Sequence, residues 1–341
     1  MTGFGSSSDQ VEPVFSVSAQ ETTGASFDLL RDFWFAARDL DIRGVKPESL
    51  DPVHIDQTVR GPMDHAFAEV DYALFSWEMD AMRREIEMLI GDDEFCVTLD
   101  HGVYFPNASF HLDLTRTVSD VGHTGSQYFR RRPRHRGNSL EEQLLDLRRN
   151  LRRQRVGKIV LADDGISTGK MLRTVSEACR RVSIRIDRMV VCCNKTEVSD
   201  FDGIAISSVV PHHPDRPWLN ERDLYWGFPR AGLPLAPENG QDLVYALPFS
   251  WNSRLIQQRI GIEDRVDEFR RACLHANRAL WLEFERLAGD ELVCESCPPL
   301  RFVPEVLGKV AVRVVDLLDD LIAGNDLDLE DTVSRPVTRS R

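Results

Sequence analysis

Two adjacent carboxylates, Asp163 and Asp164, stand between an apolar run (Ile159, Val160, Leu161, Ala162) and a loop of mostly small residues (Gly165, Ile166, Ser167, Thr168, Gly169). Ionised carboxylates accept hydrogen bonds from neighbouring hydroxyls. The helical pattern from Lys170 to Arg181 follows the loop. The N–H groups and dipole at the start of a helix suit a phosphate. Acids followed by a phosphate loop therefore suit a sugar phosphate. A nucleoside-triphosphate P-loop fits less well, because it needs four residues between its glycines and a Ser or Thr after its Lys. Here three residues separate Gly165 from Gly169, and Met171 follows Lys170.

The stretch from Leu161 to Gly169 (Leu-Ala-Asp-Asp-Gly-Ile-Ser-Thr-Gly) resembles the signature of the type I phosphoribosyltransferases, which bind 5-phosphoribosyl 1-pyrophosphate (PRPP). The resemblance implies that Asp163 and Asp164 hold the ribose 2- and 3-hydroxyls. It implies that Gly165, Ile166, Ser167, Thr168 and Gly169 cradle the 5-phosphate, with Lys170 adding charge. It also implies Mg²⁺ as cofactor, bridging ribose hydroxyls and pyrophosphate oxygens with few direct protein ligands. Two departures bear on the acceptor and the phosphate. Some members carry an acid where Ser167 stands, which assists at a purine base, and many carry a Thr or Ser where Met171 stands.

Other stretches fall at positions the resemblance makes meaningful. Asp100, His101 and Gly102 follow the apolar segment 94–99. They occupy the place of the family's pyrophosphate loop, although a plain strand-to-helix turn accounts for them equally. Residues 130–136 hold five arginines: Arg130, Arg131, Arg132, Arg134 and Arg136. One reading is a solvated or RNA-contacting basic turn. The other, by position in the family, is a mobile loop between 115 and 137 whose guanidiniums stabilise the departing pyrophosphate, with Gly125 and Gly137 as hinges. Residues 211–239 are rich in Pro, His, Trp and Tyr. Tyr225, Trp226, Phe228 and Arg230 are candidates to stack on or line an acceptor site, the alternative being a loop packed on the core by its aromatics. Cys294 and Cys297 have zinc-knuckle spacing without a second pair at a ribbon-like distance, so no metal ligand set is assigned.

These residues need strands and helices to hold them. The segments 94–99, 159–162, 188–193 and 203–210 are short and apolar, as buried parallel strands are. Ser139 followed by Glu142 predicts a capping box opening a helix to about 154. Alternation of strands and helices over 91–250 gives an α/β domain with a mostly parallel sheet flanked by helices, type I phosphoribosyltransferase-like by the resemblance. The patterns at 27–40 and 64–90 predict helices, so 26–90 reads as a helical N-terminal segment. Amphipathic patterns at 252–290 and 303–323 predict a C-terminal helical segment over 251–323, which with the N-terminal helices is expected to form either a helical subdomain or a dimer surface. Residues 1–25 and 324–341 read as disordered.

The chain has 341 residues, 42 Lys plus Arg, 55 Asp plus Glu and a net charge of −13, which disfavours general nucleic-acid binding. No apolar run reaches membrane-spanning length, and the first ten residues lack a signal-peptide core. Seven cysteines, several in apolar segments, read as reduced core thiols in a cytoplasmic protein. Two functions follow. The first is a phosphoribosyltransferase that passes phosphoribosyl from PRPP to a small-molecule acceptor and releases pyrophosphate. The second is a non-catalytic PRPP sensor.

Overall fold

The computed structural model describes residues 26–324 apart from 39, 41, 43, 70–72, 100–104, 106, 113, 122–126, 134–138, 197, 211–215, 229–230, 232, 236–243, 248–255, 257–264, 295–296 and 298–311. In 115–121, 127–133, 233–235 and 244–247 the description is of the backbone.

The chain enters through β1 (Ser26–Arg31) and α1 (Phe33–Ala37). Next come α2 (Pro52–Ile55), a π-helical turn (Asp56–Arg60) and α3 (Gly61–Glu69), followed by β2 (Ala73–Glu78) and α4 (Met79–Leu89). The strands β3 (Cys96–Thr98), β4 (Phe110–His111), β5 (Leu114–Val121) and β6 (Gln127–Pro133) precede α5 (Leu140–Gln154). Then β7 (Ile159–Ile166), α6 (Lys170–Arg181), β8 (Ile186–Asn194), β9 (Asp200–Phe201) and β10 (Ile204–Val210) follow. The remaining elements are β11 (Trp218–Asn220), a 3-10 turn (Glu221–Leu224), β12 (Leu233–Leu235), β13 (Val244–Leu247), α7 (Val266–Ala288) and α8 (Val314–Ile322).

The central sheet has the order β4-β3-β7-β8-β10-β9, and all its pairs are parallel except β9 with β10. It is a mixed α/β architecture with a mostly parallel sheet flanked by helices. The capping box forms as the sequence predicts: Ser139 Oγ accepts from Glu142 N at 3.2 Å, and Glu142 Oε2 accepts from Ser139 N at 2.6 Å. It starts α5 so that Leu144, Leu147 and Leu151 point at the sheet, where they meet Leu161, Val191 and the buried face of α6. The opposite sheet face carries Val160, Ala162, Val190, Cys192 and Val210, packed against Met79, Met82 and Ile86 of α4.

A second, three-stranded sheet, order β11-β1-β2, is parallel throughout. β1, its central strand, is buried on both faces, and β2 is half-buried over 73–77. Phe27, Leu29, Leu74 and Leu219 join a helical core built by α3, α7 and α8, while Leu30, Trp77 and Trp218 join the layer against the central sheet. This sheet corrects the helices expected at 27–40 and 64–90. Residues 26–31 and 73–78 are strands: the first helix starts only at Phe33, and the expected 64–90 helix is α3 up to Glu69 and α4 from Met79, with β2 between them. A strand with apolar residues on both faces has no clean two-residue alternation, and its close-set apolar positions run on into those of the adjoining helix.

The basic stretch also differs from the expected loop. β5 and β6 pair antiparallel, Thr117 opposite Arg130 and Thr115 opposite Arg132, in a four-stranded sheet of order β13-β12-β5-β6. Among the described residues no helix is long and apolar enough to cross a membrane.

Candidate functional site

The acidic pair stands at the carboxyl end of β7, a central strand, where open α/β sheets bind ligands. The strand runs further than its apolar run implies. Asp163 pairs with Val191, Gly165 with Cys193 and Ile166 with Asn194, which leaves only residues 167–169 as the turn into α6. Ser167, Thr168 and Lys170 are exposed at the mouth of this turn, and Gly169 is buried. Asp163 Oδ1 accepts the backbone N–H of Asp164 at 3.1 Å, and Asp163 is only 9% exposed.

Gly169 caps α6 with φ +66°, a left-handed conformation that costs an L side chain about 1–2 kcal/mol. A methyl group there would also lie 2.7 Å from Cε2 of Phe201. Gly169→Ala is therefore expected to destabilise the protein by about 1–3 kcal/mol. Adding Phe201→Leu should return the steric part. Chemical denaturation of the two variants checks this, and an unchanged midpoint in the single variant would count against the tight turn.

The small parallel sheet completes the site from above. A Cβ at Gly165 would lie 3.2 Å from the Cys193 carbonyl oxygen and 3.7 Å from the Trp218 indole nitrogen, so β11 sits directly against the end of β7. Asn220 Nδ2 donates to Asp164 Oδ2 at 2.7 Å, and an Arg222 guanidinium nitrogen lies 3.4 Å from the same oxygen. Asp32, fully buried, accepts the backbone N–H of Arg222 at 2.9 Å and faces its Nε at 3.4 Å. Burial pushes the Asp32 carboxyl up to about 7, against the pull of the Arg222 charge. Four residues earlier, inside β1, fully buried Asp28 accepts from Lys195 Nζ at 2.6 Å and Trp77 Nε1 at 2.9 Å. Lys195 directly follows β8, so this ion pair ties the small sheet to the central one.

Asn220, Arg222, Lys195, Asp28 and Asp32 carry no motif. Their one sequence signal is polarity inside apolar surroundings: Asp28 and Asp32 within the run 27–36, and the polar quartet 220–223 between Leu219 and Leu224.

The aromatics expected to meet an acceptor are placed elsewhere. Tyr225, Trp226 and Phe228 are fully buried in the helical core, as in the packed-loop alternative. Tyr225 and Phe228 each meet the Phe33 ring edge-on, at 5.0 Å between centroids, and Trp226 meets Trp281 at 5.9 Å. Their apolar area and ring-edge complementarity are satisfied internally. Trp218 is the aromatic of this region that reaches the acidic motif.

Arg130, Arg131 and Arg132 lie on β6, with side chains outside the described set; Asp100, His101, Gly102 and Arg230 lie outside the described residues altogether. All seven cysteines are buried thiols. Burial pushes Cys96, Cys179 and Cys193 up to about 12, which makes them poor nucleophiles at neutral pH. Cys297 N donates to Cys294 O at 3.3 Å in a turn inside the helical core. Among the described residues no group of three or more His, Cys, Asp or Glu forms a metal-ligand set.

No family model matches the chain, and neither the characterised proteins nor the solved structures compared with it give a match.

Proposed function

We propose that the chain binds PRPP at the carboxyl end of β7 and transfers its phosphoribosyl group to a small-molecule acceptor, in the manner of a type I phosphoribosyltransferase. One observation carries this reading: the acid-ended central strand passes through a three-residue turn straight into α6, within a mostly parallel sheet. Such a strand end is a ligand position. The amino terminus of α6 suits a phosphate, and Asp163 and Asp164 are acceptors suited to a ribose diol.

In the transfer, the bond from the anomeric carbon to the pyrophosphate oxygen breaks and the acceptor forms the new bond to that carbon. Negative charge grows on the departing pyrophosphate, and positive charge grows on the ribose ring. The two carboxylates oppose the ring charge, and the arginines of 130–136 are the proposed partners of the leaving group. Mg²⁺ fits the donor chemistry here, since carboxylates are hard oxygen ligands. When bound, it would take its remaining oxygens from substrate and water and neutralise pyrophosphate charge. Tyr225, Trp226 and Phe228 are packed in the core and are not proposed as acceptor ligands.

Calorimetric titration of PRPP with Mg²⁺ tests the reading. The wild type is expected to bind, and Asp163→Asn with Asp164→Asn is expected to weaken binding by at least a hundredfold while retaining the fold. Equal affinity in the double variant would overturn the site. Binding without pyrophosphate release across an acceptor screen would favour a PRPP sensor.

A further inference from the structure

We propose that Trp218 and Asn220, with Arg222, are positioning residues: a hydrogen-bond relay from the small parallel sheet that fixes the Asp164 carboxylate for its ligand. This deepens the site just proposed and rests on that reading for the identity of the ligand.

Trp218 and Asn220 are two residues apart on β11 and therefore share one face of the strand. That face looks onto the end of β7. Trp218 Nε1–H donates to Asn220 Oδ1 at 3.0 Å, and Asn220 Nδ2–H donates to Asp164 Oδ2 at 2.7 Å. Chemistry gives the relay one polarity. An indole N–H only donates, and an ionised carboxylate only accepts. The Asn220 carbonyl must therefore face Trp218 and its amide nitrogen must face Asp164. The opposite rotamer would set donor against donor and acceptor against acceptor. The relay thus selects one orientation of Asp164.

The second donor is held as firmly. Arg222, 7% exposed, reaches the same oxygen from the 3-10 turn. That turn is clamped at three points. Asp32 takes the Arg222 backbone N–H, fully buried Glu221 takes donors from Arg31, Arg60 and Phe33, and Asn277 Nδ2 donates to Leu224 O at 2.9 Å. Donors on so restrained a support fix the carboxylate rather than follow it. Asn220 and Arg222 lie 56 and 58 residues beyond Asp164. The acidic motif therefore supplies the carboxylate, while a separate sheet supplies its orientation.

Two measurements test the relay. The first needs no ligand: the indole N–H resonance of Trp218 in a proton–nitrogen correlation spectrum, assigned by its loss in Trp218→Phe. Asp164→Asn is expected to move this resonance, and the movement should vanish in an Asn220→Ala background, because the coupling runs through Asn220. A resonance unmoved by Asp164→Asn, or moved equally in the Asn220→Ala background, overturns the relay. The second is calorimetric titration of PRPP with Mg²⁺. Loss of a hydrogen bond to a charged group predicts about tenfold weaker binding in Asn220→Ala and a smaller loss in Trp218→Phe, which keeps the ring. Arg222→Lys should bind more tightly than Arg222→Ala. Affinities equal to wild type in folded Asn220→Ala overturn the positioning role. If the wild type binds no PRPP, the proposed function falls, and the indole resonance alone decides whether the relay stands.

Discussion

Replacing Glu221 with alanine is expected to cost about 3–5 kcal/mol of folding stability, the size found when one partner of a buried ion pair is removed. Glu221 is fully buried and accepts from Arg31 at 3.1 Å, Arg60 at 2.7 Å and the backbone N–H of Phe33 at 3.3 Å. Arg31 and Arg60 keep Asp64 and Asp56 respectively, but both of those acids are substantially exposed. Without Glu221 the two guanidiniums face one another across a dehydrated gap, and the Phe33 N–H loses its acceptor. Glu221→Gln keeps one acceptor oxygen and should lose less. Replacing the whole group, with Glu221→Leu, Arg31→Met and Arg60→Met together, should recover most of the loss, because the cost comes from stranded charge rather than from missing attraction. Urea denaturation of the three variants measures these differences. A loss below about 1 kcal/mol in Glu221→Ala, the range of exposed pairs, would mean that water reaches the cluster. The same substitution should weaken ligand binding, since Glu221 anchors the turn that carries Arg222 to Asp164.

This coupling also explains what the sequence disclosed and what it concealed. The acidic strand, its turn and α6 were legible because each is local: four apolar residues, two acids, small residues and a helical period stand in one run. The capping box of α5 was legible for the same reason, since Ser139 and Glu142 need only each other. The small sheet was not legible. Its strand β1 pairs with β11 some 190 residues away, and no local period encodes that pairing. With Phe27 and Leu29 buried on one face and Leu30 on the other, β1 shows the apolar density of a helix rather than the alternation of a half-buried strand. The polar half of the site was hidden with it. Asp28, Asp32, Asn220 and Arg222 become meaningful only when β11 is laid against β7. The aromatic segment 225–228 misled in the other direction, because its Trp and Tyr residues suit a ligand and a core equally well, and composition does not separate the two.

That segment gives the second large effect. Gly227→Ala is expected to destabilise the protein by about 2–5 kcal/mol, the sum of left-handed strain and overpacking. Gly227 has φ +90°, and a methyl group there would collide with Cζ2 of Trp281. Trp281 has little room to withdraw. It is fully buried, packs edge-on against Phe284 at 5.3 Å, and donates its indole N–H to Trp226 O at 3.2 Å. The neighbouring backbone is equally fixed, with Trp226 N donating to Asn277 Oδ1 at 2.6 Å. Two further variants separate the causes. Asn tolerates left-handed backbone better than Ala, yet its Cβ meets the same ring, so Gly227→Asn should be no better than Gly227→Ala. Trp281→Phe removes the colliding ring atoms, so the double variant Gly227→Ala, Trp281→Phe should lose less than the two single losses added together. Strict additivity, read from denaturation midpoints, would leave backbone strain as the whole effect. A loss confined to the helical core should spare the indole resonance of Trp218. A loss transmitted through the 3-10 turn should move it, because Leu224 and Trp226 hold one end of the element that carries Arg222.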